Sequence, residues 1–252
     1  MFAKHPDDRD VPALRQLWQE AFGDDDSFLD KFFAAGYSKN RCRVVMQEGQ
    51  AVAALYWFDC QWEGKKLAYL YAVATAKSFQ GQGLCRSLMA DTHQLLREQG
   101  YAGTILVPGS DTLRMMYEKM GYRTATTIRE FTREAGLETF PLEKISAEEY
   151  ARQRKAMLPA GGIVQEGAGL AFLETYANFY AGNGCLFCAI KDGQHLFVPE
   201  FLGDDTHIPG ILRSLNCQGG TFRTPGAGKP FAMYHSLTDD PSAPTYLGHA
   251  YD

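Results

Sequence analysis

The feature that most constrains this chain is the run from Leu67 to Arg86, where an apolar segment enters a glycine-bearing loop and the loop enters a helix. Leu67-Ala68-Tyr69-Leu70-Tyr71-Ala72-Val73-Ala74 is apolar at odd and even positions alike, the pattern of a central strand covered on both faces. Beyond Gly83, residues Leu84, Cys85, Leu88, Met89, Leu95 and Leu96 fall on one side of a helix. Arg86, Ser87, Asp91, Gln94, Arg97 and Glu98 fall on the other, which is a helical period. Gly100 follows the last turn, where a left-handed residue closes a helix at least cost.

A junction of this kind binds anions. The first backbone N–H groups of a helix lack internal partners, and the helix dipole places partial positive charge there. Gly81 and Gly83 remove side chains that would keep a phosphate away. Gln80, Gly81, Gln82, Gly83, Leu84 and Cys85 therefore read as a pyrophosphate cradle. Two versions of such a cradle do not fit. A kinase-type phosphate loop needs Gly-Lys and then Ser or Thr, but Leu84 follows Gly83. A dinucleotide-binding loop needs a third glycine where Arg86 stands, and an acidic residue at the end of the next strand, which is missing.

A third pattern does fit. Gln80-Gly81-Gln82-Gly83-Leu84-Cys85 resembles the motif of the GNAT superfamily of acyl-CoA N-acyltransferases: Gln or Arg, two residues, Gly, one residue, then Gly or Ala. It matches at Gln80 and Gly83 and departs at Cys85, where a small side chain still permits close approach of helix and loop. Val73-Ala74-Thr75 resembles the strand end that pairs with pantetheine. Tyr117-Glu118-Lys119-Met120-Gly121-Tyr122 resembles the family's late Tyr-Glu-Lys-Leu-Gly-Phe segment.

The remaining residues fall into the order this resemblance implies. Residues 11–22 carry Val11, Leu14, Leu17, Trp18, Ala21 and Phe22 at helical spacing. Asp24-Asp25-Asp26 then offers N-cap oxygens for a second helix through Phe28, Leu29, Phe32 and Phe33. In the family these helices border the acceptor pocket, so Trp18, Phe22, Phe28 and Phe32 are either substrate contacts or core aromatics. Strands are expected at 43–47, 52–62 and 67–75, a helix at 83–99, a strand at 101–107, a helix at 112–120 and a strand at 122–133. This predicts an α/β (α+β) GNAT fold over residues 1–135, a mixed central sheet with flanking helices.

Residues 135–143 read as a connector. Beyond them come helices at 147–157 and 170–180, hairpin strands at 185–190 and 195–202, a helix at 208–215, and strands at 221–223, 231–235 and 246–251. Residues 136–252 thus repeat the order of the first half without a Gln-x-x-Gly-x-Gly loop. They are expected to form a smaller, degenerate GNAT-like α+β domain, an arrangement similar to bacterial tandem or Eis-type acetyltransferases.

Composition narrows the partners. The formal charge of −5 over 252 residues argues against nucleic acid. Six irregularly spaced cysteines with no secretory signal ahead of them point to reduced thiols in a cytoplasmic protein. No apolar run reaches membrane-spanning length. A homo-oligomer is compatible with the sequence. No metal is expected: Cys185 and Cys188, three apart on a strand, face opposite sides and read as core. His93 reads as solvated, and His235 and His249 as candidates for the pocket wall.

The resemblance implies acetyl-CoA as co-substrate and a primary amine of a small molecule or peptide as acceptor. Backbone groups of Val73, Ala74 and Thr75 would pair with pantetheine, and those from Gln80 to Arg86 would hold the pyrophosphate. Tyr117 stands where the family keeps its general acid; the alternative is a ring packed on the sheet. Asp252 is a candidate base, because Eis-type enzymes bring a C-terminal carboxylate to the site. A non-catalytic acyl-CoA-binding module is the rival function.

Overall fold

The computed structural model describes residues 2–251. After a short strand β1 (Ala3–Lys4), helices α1 (Val11–Phe22) and α2 (Asp26–Lys31) form the first layer. Asp25 caps α2 by accepting from the Phe28 N–H at 2.8 Å, and one π-type turn, Phe32–Gly36, extends it. Strands β2 (Cys42–Gln47), β3 (Gln50–Trp62) and β4 (Lys65–Thr75) follow as an antiparallel meander. Next come α3 (Leu84–Glu98), β5 (Gly103–Leu106), α4 (Asp111–Glu118), β6 (Arg123–Thr124) and β7 (Thr127–Glu134).

The second half contains β8 (Leu142–Ile145), α5 (Ala147–Met157), β9 (Val164–Gln165), α6 (Ala168–Glu174) and β10 (Asn178–Gly182). It continues with β11 (Cys185–Asp192), β12 (His195–Gly203), α7 (Ile208–Ser214), β13 (Gly219–Pro225), β14 (Lys229–Pro230) and β15 (Met233–Ser236).

These strands build two mixed sheets. The first runs β1-β2-β3-β4-β5-β15-β6, with β9 on β3; the second runs β8-β10-β11-β12-β13-β7-β14. Each sheet has one parallel junction, β4 with β5 and β12 with β13. Each is completed from the other half of the chain. Strand β15 lies between β5 and β6, and β7 lies against β13. The sheets therefore trade strands across residue 135. Apolar side chains on one face of α3, Leu88, Met89 and Leu96, pack on Leu55, Trp57, Leu70 and Leu106 of the first sheet. The other face of that sheet carries Trp18, Phe32, Tyr56, Phe58 and Phe172, so it is buried between α1, α2 and the second half.

Four expected elements come out differently. The strand at 122–133 is broken at Ala125-Thr126, where the chain leaves the first sheet for the second. The connector at 135–143 ends as β8 rather than as pure loop. The helix at 170–180 stops at Glu174. Phe179 and Tyr180, aromatic and suited to a pleated surface, are captured by β11 and β8 instead. The segment at 246–251 forms no strand: apart from an isolated bridge of Tyr246 with Gly162, it is irregular, buried chain whose backbone bonds to side chains.

Candidate active site

Strand β4 is anchored to β5 only through Leu67, Ala68 and Tyr69, paired with Gly103, Thr104 and Ile105. It then runs on to Thr75 with β3 alone. Midway the register slips between Ala54 and Tyr56, and Ala72 adopts a positive φ of 47°. An alanine there is strained, a conformation held only when its surroundings impose it. The bulge turns β4 away from β5 and opens a gap in the sheet.

Two clefts meet at that gap. One, about 560 Å³, is lined by Val73, Thr75, Gln80, Gly81, Gly83, Leu84, Cys85, Arg86 and Tyr117 among others. The other, about 620 Å³, reaches from Val73 and Tyr117 past Trp18, Asp24, Phe28 and Tyr71 to Tyr251. Val73, Leu113 and Tyr117 line both. The sequence-predicted residues of loop and strand, except Ala74 and Gln82, thus converge on one cleft, and Tyr117 stands at the junction.

Gly81 and Gly83 have φ of 75° and 79°, and a β-carbon on either would meet nothing within 4 Å. The glycines therefore serve the left-handed backbone, and the space above the loop is open. Gln80 and Gln82 brace the turn, donating to the carbonyls of Thr75 and Ser78, each at 3.2 Å. The first bond of α3 runs from the Ser87 N–H to the Gly83 carbonyl. The N–H groups of Leu84, Cys85 and Arg86 precede it, so the helix itself leaves them unused. Open space, free donors and a helix dipole fit a diphosphate.

Tyr117 is buried at the end of α4, 6 % exposed, with its ring edge-on to Tyr122 at 5.7 Å. Burial pushes its phenol well above the ordinary range, with Cys85 adding to the effect. It is therefore a proton holder at neutral pH. The Cys85 thiol in the same cleft is also pushed up by burial.

The second cleft is walled by aromatic rings from both halves: Trp18, Phe28, Tyr69, Tyr71, Tyr176 and Tyr251. Trp18 and Phe28 are thus wall residues, and so is half-exposed Phe22, whereas Phe32 is core. Among the lining residues Asp24 is the one carboxylate; its Oδ2 accepts from the Trp18 indole N–H at 2.7 Å. The sequence marked Asp24 as a possible cap, but Asp25 is the cap, and Asp24 is left facing the cleft. Asp252 lies outside the described residues.

Three histidine expectations are corrected. His93 is buried rather than solvated: its Nε2 bonds the Tyr122 hydroxyl at 2.8 Å and its ring stacks on His235 at 4.5 Å. His235 is therefore taken up by that stack. His249 is fully buried beside Glu200, 3.1 Å from Nε2. Neither lines the clefts. Cys185 and Cys188 enter different apolar clusters on opposite faces of β11.

Residues 3–125 match the family model described as an acetyltransferase (GNAT) domain. No curated protein matches the chain. Among solved structures, a GCN5-related N-acetyltransferase from Anabaena variabilis superposes with a TM-score of 0.71 at 16% identity, covering 94% of this chain and 73% of that one. One from Kribbella flavida gives 0.70 at 14% identity, with coverages of 92% and 70%. Eis1 from Mycobacterium abscessus gives 0.67 at 11% identity, with coverages of 94% and 74%. These likenesses establish the fold over nearly the whole chain.

Proposed function

Because the first half of the chain belongs to the GNAT acetyltransferases, we propose that this protein transfers an acetyl group from acetyl-CoA to a primary amine of a small molecule or peptide. The observation that carries the reading is the meeting of the two clefts at Val73, Leu113 and Tyr117. One cleft has the donors for a diphosphate. The other has aromatic walls and the Asp24 carboxylate, which suit a cationic amine, beside Arg114, Arg223 and Lys229, of which the last two are paired with Glu130 at 2.8 and 2.6 Å.

Acetyl-CoA, when bound, supplies the activated thioester. The N–H groups of Leu84, Cys85 and Arg86 would hold its diphosphate. The strand edge freed at Val73, Ala74 and Thr75 would pair with the pantetheine amides and polarise the carbonyl. Asp24 would draw an ammonium group toward the gap.

Tyr117 is read as a hydrogen-bond donor to the departing sulfur. A thiol near ~8.5 and a phenol near ~10 already make full proton transfer uphill by about 2 kcal/mol. Burial of Tyr117 widens that difference, so donation without transfer is the favoured role. Asp252 follows Tyr251 directly, and Tyr251 lines the acceptor cleft. Its carboxylate is proposed as the base.

The decisive experiment measures coenzyme A binding by calorimetry and thiol release across a panel of amines. Binding with turnover on a cationic amine is expected. Binding without turnover on any amine would leave an acyl-CoA-binding module, and no binding would overturn both.

A further inference from the structure

The acceptor cleft has a floor of unusual construction. Ala250 and Tyr251 line it, yet they belong to a segment whose backbone pairing is one isolated bridge, Tyr246 with Gly162, where the Tyr246 carbonyl accepts from the Ile163 N–H at 2.9 Å. Beyond that bridge its backbone is held by side chains. The hydroxyls of Tyr69 and Tyr71 donate to the carbonyls of Ala250 and Tyr251 at 2.5 and 3.0 Å. The Gln165 amide donates to the His249 carbonyl at 2.7 Å and accepts from the His249 N–H at 3.0 Å. Tyr251 itself has a positive φ of 59°, a conformation that persists only when surroundings over-determine it.

Behind this segment sits the carboxylate of Glu200, fully buried on β12. Arg154 of α5, also buried, grips it with two bonds of 2.6 and 2.8 Å. Tyr150 and Tyr246 donate to it at 2.5 and 2.9 Å, and His249 Nε2 lies 3.1 Å away. Burial works against the charge, but Arg154 and His249 hold the acid well below the usual carboxylate range. Two of these five groups, Tyr246 and His249, belong to the floor segment itself. Between them Gly248 is pressed so closely on Glu200 that any β-carbon would collide with it. Stability alone does not explain such a cluster, since well-packed apolar residues stabilise a core as well as a buried ion pair does. What the ion pair adds is a fixed direction.

We infer that the Glu200–Arg154 cluster is a positioning device for the acceptor site. It sets the register of residues 246–251, and so the place of Ala250 and Tyr251 in the cleft, from the second half of the chain. The residues act through the floor and not on the reacting atoms. The inference rests on the proposed amine-acceptor reading for its kinetic consequence but not for its structural one.

The test pairs a charge-free double variant, Arg154→Met with Glu200→Leu, with the milder Tyr246→Phe, which removes one donor and leaves no orphaned charge. Hydrogen exchange of residues 246–250 should rise in both, more in the double variant. Exchange in α3 and coenzyme A affinity should stay within about twofold of the parent. The KM for the acceptor amine should rise about tenfold to a hundredfold in the double variant, the scale of an ångström-sized misplacement. Unchanged exchange of residues 246–250 in a folded variant overturns the inference, as does an equal loss of coenzyme A affinity. If the parent turns over no amine while the exchange pattern holds, the enzyme reading falls and the positioning role stands. Should the double variant not fold, Tyr246→Phe decides by the same readouts.

Discussion

The two sheets run the same course through their parallel junctions, β4–α3–β5 and β12–α7–β13, yet the cleft at the helix start is about 560 Å³ in the first and only about 220 Å³ in the second. In the first, Gly81 and Gly83 take left-handed conformations and leave the helix donors facing open space. In the second, the joining residues are Asp204, Asp205, Thr206 and His207. The Asp204 carboxylate accepts from the Thr206 N–H at 2.9 Å, so the turn consumes its own donor. Helix α7 has seven residues against fifteen in α3. The first sheet also follows β5 with α4 and Tyr117, whereas a tight turn follows β13. The same topology thus leaves backbone donors open at one helix start and fills one with a carboxylate at the other.

The strongest way to break this comparison is Tyr117→Phe. It should lower kcat roughly a hundredfold while coenzyme A affinity holds, because only the donor is lost. Unchanged turnover would remove Tyr117 from the reaction and leave the ring as packing.

Gly83→Val comes next. A β-branched residue in the left-handed region costs on the order of 1–2 kcal/mol, so calorimetry should show coenzyme A binding weakened about tenfold. Asp204→Ala is its counterpart in the second sheet. Loss of that turn bond should lower stability by about 1 kcal/mol or less and leave coenzyme A affinity unchanged. A loss of affinity there would show that the second junction also serves the cofactor.

Asp24→Asn keeps the bond from Trp18 but removes the charge. The acceptor KM should rise about tenfold, in line with loss of a charged hydrogen bond, with kcat for saturating amine nearly intact.

The smallest effect is in pH. Burial lowers His93, on the buried face of α3, to about 3, with His235 and Arg97 adding to the shift. The folded state therefore binds fewer protons than the unfolded one between that value and the ordinary ~6.5 of histidine. Its contribution is complete above ~6.5 and fades as pH falls toward 3. The midpoint of thermal unfolding should drop between pH 7 and pH 5, and His93→Gln should flatten that drop. An unchanged drop would assign it to other groups, such as His249, whose buried imidazole is also held low.

Most of the cleft over the glycine loop was legible in the sequence because it is local. Loop, strand end and helix start lie within twenty residues, and each has a backbone requirement that residue type reveals. The bulge at Ala72 was not legible, since alanine carries no signal for positive φ. The aromatic-walled cleft was illegible for a different reason. Its walls combine residues from α1, α4, β13 and the 246–251 segment, which only tertiary packing brings together. Asp24 hid inside an acidic trio whose bland role, capping, belongs to its neighbour. His93 looked solvated because its partner Tyr122 is distant in sequence. The Glu200 cluster gave no pattern at all: its five members lie between residues 150 and 249.

The exchange of strands has a consequence for how the chain comes into being. Strand β5 stays an unfinished edge until β15 arrives, and β15 follows it in the chain only after β6 to β14. A nascent chain carrying the whole glycine loop and Tyr117 still lacks the strand that closes its sheet. Closing that sheet therefore depends on a pairing between strands far apart in the chain, which is slow to form. A gene cut after the loop and Tyr117 would encode an open-edged, aggregation-prone fragment rather than half an enzyme.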